Sequence, residues 1–171
     1  MKNNENFNSL YFIKLVLEGG INSGFMIAHC TAAALTSENK VLCHPSSSDT
    51  ITTSGGTEDH VSMGAWSARK ALNVITNVEK ILAIELLAAC QALEFFHINK
   101  MTSTPALEAV FNMVRKYIDP WKKDRYMSPD IEKASSLIHN NKLWSEVKDY
   151  MEKYNEIKGE DKSISCLLPV D

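Results

Sequence analysis

No pair of cysteines in this chain has metal or redox spacing. The four, Cys30, Cys43, Cys90 and Cys166, include no Cys-x-x-Cys, so zinc-ribbon and thioredoxin-type chemistry have no support. There is no basic stripe either. Eighteen Lys and Arg stand against 21 Asp and Glu, a net charge of −3, which excludes nucleic acid as a default partner. The one local basic cluster, Lys122-Lys123 with Arg125, reads as a solvated helix end. No Asn-x-Ser/Thr sequon occurs, and no uninterrupted apolar run reaches membrane-spanning length. The start, Met1-Lys2-Asn3-Asn4-Glu5-Asn6, is unlike a signal or transit peptide. Gly55-Gly56 lacks both the strand before it and the Lys-Ser/Thr after it that a phosphate loop needs. No internal repeat and no strand-period segment is present. These absences point to a reduced, cytosolic, soluble protein with no membrane partner.

What is present is helical patterning in a chain of 171 residues, 44% hydrophobic and 23% charged, an ordinary composition for one globular domain. Residues 1–9 are Asn-rich and expected to be loose. An apolar run from Leu10 to Glu18 ends at Gly19-Gly20. Asn22 or Ser23 can then cap a helix from about Gly24 to Lys40. Its stretch Met26–Leu35 is almost uncharged, which predicts a helix buried on all faces, with Cys30 a buried thiol. His44 to Thr57 is Ser, Thr, Gly and Asp with one Pro, a long loop of the kind that carries function. Val61 to Phe96 shows apolar residues at alternating spacings of three and four, in two stripes. That is one helix of roughly 50 Å, buried on more than one side, and a bundle completed by other chains or further sequence. Three shorter amphipathic helices follow. Thr104-Pro105 and Ser128-Pro129 open the first two as cap and first residue, and Trp144, Val147, Tyr150 and Met151 mark the third.

The chemistry-capable residues are few. Thr57-Glu58-Asp59-His60 ends the uncharged loop just before the long helical pattern, where partial positive charge favours a carboxylate. Spacing alone favours a capped helix, with Asp59 or Ser62 accepting from backbone N–H groups. The alternative is a carboxylate, Glu58, facing a cationic or hydrogen-bond-donating substrate group. No Ser or Cys nucleophile is tied to His60 by a motif, so hydrolase chemistry has no support. His29-Cys30 and Cys43-His44 would bind metal only if the fold joined them, and they read as core or loop residues. Glu85 and Gln91 interrupt an apolar helix and are expected to pair with polar groups of another element.

Several runs carry a resemblance. Gly20-Ile21-Asn22-Ser23-Gly24-Phe25-Met26-Ile27-Ala28, Thr57-Glu58-Asp59-His60-Val61-Ser62-Met63-Gly64, Ala68-Arg69-Lys70-Ala71-Leu72 and Leu82-Ala83-Ile84-Glu85-Leu86-Leu87-Ala88-Ala89-Cys90-Gln91 resemble signatures of histidine ammonia-lyases. His29-Cys30, Leu42–Ser47, Pro120-Trp121, Lys123-Asp124-Arg125 and Ser128–Glu132 resemble the eukaryotic branch. The resemblance runs from about Gly19 to Tyr154. It implies an all-α bundle of long helices, similar to the C-terminal part of the aromatic amino acid ammonia-lyase fold and assembled as a homotetramer. It implies elimination of ammonia from L-histidine to give trans-urocanate, on a methylidene-imidazolone electrophile cyclised from the protein's own Ala-Ser-Gly. Of the family's functional residues only Glu58 carries over, as the glutamate facing the substrate imidazole, in both its catalytic and its binding role.

No Ala-Ser-Gly occurs in these 171 residues. Thr53-Ser54-Gly55 is a near miss that begins with Thr and lies in the loop before Glu58. No cofactor and no metal is therefore expected in this chain itself. Deprotonating the β-carbon of an amino acid needs an electron sink, and a lone carboxylate supplies none. The resemblance divides the chain into an unmatched segment 1–18, a helical lyase region 19–158 and a frayed tail 159–171. It implies catalytic incompleteness alone, with L-histidine bound only in a complete enzyme. It also implies association with itself or with lyase subunits. A non-catalytic helical assembly module joining full-length subunits is the alternative.

Overall fold

Helix accounts for most of the chain, and the reason is the three-and-four spacing of its apolar residues. The computed structural model describes Leu15, Val16 and residues 21–160. Among these lie five α-helices and no β-strand: α1 (Met26–Leu42), α2 (Gly64–Ile98), α3 (Pro105–Arg115), α4 (Ser128–His139) and α5 (Lys142–Glu160). The all-α class is as expected. The expected looseness of residues 1–9, the Gly19-Gly20 break and the frayed tail beyond Glu160 lie outside the described residues. So does most of the run 10–18, but Leu15 and Val16 are described and buried in the core.

The 35-residue α2 is the spine. Both α1 and α4 pack along it, and α5 packs on α3 and α4. Its buried residues Ala83, Ile84, Leu87, Ala88, Cys90 and Gln91 recur every three or four positions, so one stripe faces the core. There they meet Phe25, Ala28, Val114, Ile118, Ala134 and Leu137. A row drawn from both expected stripes is left uncovered by the described residues: Leu72, Ile75, Val78 and Leu82 are exposed. By length and composition α2 would suffice to cross a membrane, and 33% of its most apolar window is buried within the chain.

Helix α1 departs from expectation. Only Ala28 of its residues is buried, while Met26 and Ile27 are exposed. Cys30 is exposed as well. Two residues advance a helix by about 200°, so Cys30 lies on the face opposite Ala28. Apolar composition marks a surface that is suited to burial, and the described residues supply a neighbour on one side only.

The starts of the helices also differ in their chemistry. Thr104 caps α3 as expected, its Oγ1 accepting from Leu107 N at 3.4 Å with Pro105 following. In α4 Ser128 is already helical and makes no cap bond. Neither Asn22 nor Ser23 caps α1, whose N-cap is Phe25 without a side-chain bond. Both are engaged across the fold instead. The Asp124 carboxylate accepts from Ser23 N at 2.6 Å and Gly24 N at 2.9 Å, and Asn22 Oδ1 accepts from Asp124 N at 3.0 Å. Arg125 braces the same 119–127 loop, donating to Asp119 O, Pro120 O and Asp130 Oδ2 at 2.8, 3.0 and 2.8 Å. Its guanidinium stacks 4.5 Å from the Trp121 ring centroid. Gln91 pairs with the backbone of that loop, as a buried amide must, whereas Glu85 is exposed.

Candidate functional site

Between α1 and α2 the chain forms a short docked turn and then a tight hairpin. The turn is a 3-10 helix, Ser46–Asp49, packed on α2 with Ser46 buried. His44 Nε2 lies 3.4 Å from Asp49 Oδ2 across it. The hairpin is closed by an antiparallel bridge, with Thr53 N donating to Glu58 O at 3.0 Å and Glu58 N to Thr53 O at 3.3 Å. Inside it Ser54 O accepts from Thr57 N at 3.3 Å and from Thr57 Oγ1 at 2.7 Å. Outside it Thr52 Oγ1 donates to Asp59 Oδ1 at 2.7 Å.

The backbone pays a conformational cost here. Ser54, Gly55 and Gly56 have φ of +53°, +66° and +89°, and His60 and Met63 have +53° and +50°. A Cβ on Gly55 or Gly56 would meet nothing within 4 Å, so these glycines supply backbone angle and not room. Ser54, His60 and Met63 adopt left-handed conformations with full side chains, at about 1–3 kcal/mol each. Such strain clusters where a loop must present a group in one orientation.

The group presented is Glu58. It is exposed, and its carboxylate makes no hydrogen bond or ion pair with the described residues. The expected helix cap is not formed. Helix α2 begins at Gly64 with Met63 at its N-cap and no side-chain cap bond, so Asp59 and Ser62 cap nothing. The physical reason is local: Asp59 is taken by Thr52, and the left-handed residues His60 and Met63 turn the chain between hairpin and helix. His60 is exposed beside them.

The other candidates separate. Cys30 and Cys43 are exposed free thiols, and no group of three or more His, Cys, Asp or Glu converges among the described residues. Burial pushes the Cys90 thiol up to about 11, with the nearby Arg115 opposing, which leaves an inert thiol. A cavity of about 480 Å³ opens between α1, α2 and the 119–127 loop, lined by Ile27, Thr31, Ile84, Asp124, Arg125 and Ile131. Glu58 is not on it. Thr53-Ser54-Gly55 sits in the hairpin turn, where the Thr53 carbonyl accepts from Gly56 N at 3.1 Å and from Glu58 N at 3.3 Å. No Ala-Ser-Gly is present in the 171 residues to cyclise to an imidazolone.

Lys70 is a residue that the sequence did not single out. It is buried, its Nζ donates to His44 O, and it lies 5.8 Å from the Trp66 ring centroid. The available signal was Trp66 four residues ahead, the spacing at which helical side chains meet.

Comparison with known proteins follows this geometry closely. Residues 3–116 match the aromatic amino acid lyase family, a span that takes in residues 3–18. Histidine ammonia-lyase of Bos taurus is 64% identical over 140 residues, covering 82% of this chain and 21% of that protein. Among solved structures, histidine ammonia-lyase from Trypanosoma cruzi has a TM-score of 0.74 at 53% identity, covering 80% of this chain and 26% of that one. Tyrosine aminomutase from Streptomyces globisporus reaches a TM-score of 0.71 at 36% identity, over 79% of this chain and 26% of that one. The chain thus spans about a fifth to a quarter of the relatives it matches. It belongs to the aromatic amino acid lyase family.

Proposed function

We propose that this chain forms one wall of an L-histidine site in an ammonia-lyase, with the Glu58 carboxylate meeting the substrate imidazole. The observation that carries this is an exposed, unpartnered carboxylate on a hairpin with strained backbone, in a chain 64% identical to a histidine ammonia-lyase. The aminomutase has the same fold, so fold alone does not choose the substrate; on this reading the carboxylate at position 58 favours histidine. Glu58 accepts a hydrogen bond from an imidazole N–H or takes a proton from a neighbouring group. The electrophile for elimination to trans-urocanate comes from sequence beyond these 171 residues. On this reading the setting is cytoplasmic, the assembly is a homotetramer and the isolated chain is inactive. The test is to exchange the matching segment of the Bos taurus enzyme for this one and follow urocanate absorbance. The chimera turns over, and Glu58→Gln lowers turnover by about 100-fold, the scale of losing one preorganised polar contact. Undiminished turnover in that variant sinks the assignment, and turnover by the isolated chain sinks its inactivity.

A second reading rests on a different observation. The open apolar row of α2, with Leu72 66% and Ile75 55% exposed, suits a non-catalytic role joining lyase subunits.

A further inference from the structure

We propose that Lys70 is a positioning residue for Glu58, acting as a latch that pins the root of the loop to α2; this rests on the Glu58 reading above. Lysine is rarely buried without a carboxylate partner, yet Lys70 is 8% exposed and makes no ion pair with a described carboxylate. Its ammonium is spent on the His44 carbonyl, 26 residues earlier, and on the face of Trp66. Arg69 lies 5.3 Å from the same ring centroid, so Trp66 meets two cations on the first turns of α2.

The position of that acceptor gives the latch its purpose. His44 is where the chain leaves α1, and the Ser46–Asp49 turn packed on α2 begins two residues later. At the other end the loop runs directly into α2 at Gly64. Lys70 therefore fastens the first end of the 43–63 loop to the same two turns of helix into which its second end runs. Between them residues 51–60 are all exposed, and the hairpin bonds there hold the hairpin's shape, not its place. Without the latch the hairpin stays closed but is carried on a longer, looser tether.

Two measurements test this. In the full chain, amide exchange is followed in Lys70→Met and Lys70→Arg. Lys70→Met is expected to speed exchange of Ser48 N, which bonds Pro45 O within the docked turn, by about tenfold, with amides of α3 and α4 unchanged; Lys70→Arg restores the protection. Unchanged exchange at Ser48, or equal acceleration throughout α3 and α4, overturns the latch. In the Bos taurus chimera, Lys70→Met is expected to lower kcat/KM for L-histidine about tenfold by misplacing the carboxylate. That loss is expected to vanish when Glu58→Gln is already present. Additive losses overturn the positioning role. If Glu58→Gln alone has no effect while Lys70→Met still loosens the turn, the Glu58 reading fails and the latch remains as loop anchorage only.

Discussion

The side-chain amide of Gln91 and the main chain of Trp121 hold each other at both ends. Gln91 Nε2 donates to Trp121 O at 3.1 Å, and Gln91 Oε1 accepts from Trp121 N at 2.8 Å. Both residues are buried. A single glutamine thus satisfies two backbone groups of a loop that reaches the core of α2, a need that no helix or sheet partner could meet there.

Gln91→Leu removes both partners and leaves the Trp121 N–H and C=O buried without bonds. Each orphan costs about 1–3 kcal/mol, so a loss of about 2–6 kcal/mol is expected. For a chain of this size that lowers Tm by at least about 4 °C. Calorimetry checks it, and a Tm within two degrees of the parent shows that the pair carries no net weight.

Acid is expected to weaken the tie between the 119–127 loop and the start of α1. The Ser23 N–H chiefly, with Gly24 N–H assisting against desolvation, holds the Asp124 carboxyl below its ordinary value. A carboxylate lowered in the folded state contributes stability that is full above its unfolded value of about 3.9 and is lost as pH falls through the folded value. Glu108 behaves alike, lowered by the His97 hydrogen bond first and then by the Ser103 N–H. Tm is therefore flat between about pH 5 and 6 and declines below about pH 4. Asp124→Asn lowers the plateau and makes the decline shallower, leaving the share due to Glu108. A parallel decline in both proteins would exclude the Asp124 contribution.

Periodicity made every described helix legible, because a core-facing stripe leaves its spacing in the sequence whatever covers it. What covers it is not written there, so α1 was expected to be buried and Ile27 is 63% exposed. Local chemistry was legible where it stayed local. Thr104-Pro105 capped as read, whereas Asn22 and Ser23 were claimed by Asp124 about a hundred residues away. Asp59 lost its capping role to Thr52, a partner seven residues back that only the hairpin brings near. Glu58 was found through its motif, and Lys70, met only within the run Ala68-Arg69-Lys70-Ala71-Leu72, was given no role because its acceptor lies 26 residues earlier and only the fold joins them.

Glu58→Gln is expected to leave stability within about 0.5 kcal/mol of the parent, the range for an exposed site without special contacts. Had Glu58 or Asp59 capped α2, neutralising it would cost about 1 kcal/mol. Equilibrium urea unfolding of the isolated chain separates the two. A loss of 1 kcal/mol or more would return Glu58 to a structural role and weaken its assignment to substrate.

The open row on α2 is expected to drive association. At 100° per residue, Leu72, Ile75, Val78 and Leu82 fall within an arc of roughly 120°, and their exposures are 66%, 55%, 40% and 44%. Fully burying such a side chain is worth about 1.5–3 kcal/mol, so four on one face favour a partner surface over water. Leu72→Glu with Ile75→Glu puts two charges in the N-terminal half of that row, where a buried, unpaired charge is prohibitive. Size-exclusion chromatography with light scattering is expected to show the parent associating with itself or with co-expressed histidine ammonia-lyase, and the double variant as a monomer. The core stripe at Ala83, Ile84 and Leu87 is untouched by these changes, so helicity by circular dichroism stays at the parent level. A parent that is monomeric and ignores the lyase would show that this face has no partner of either kind.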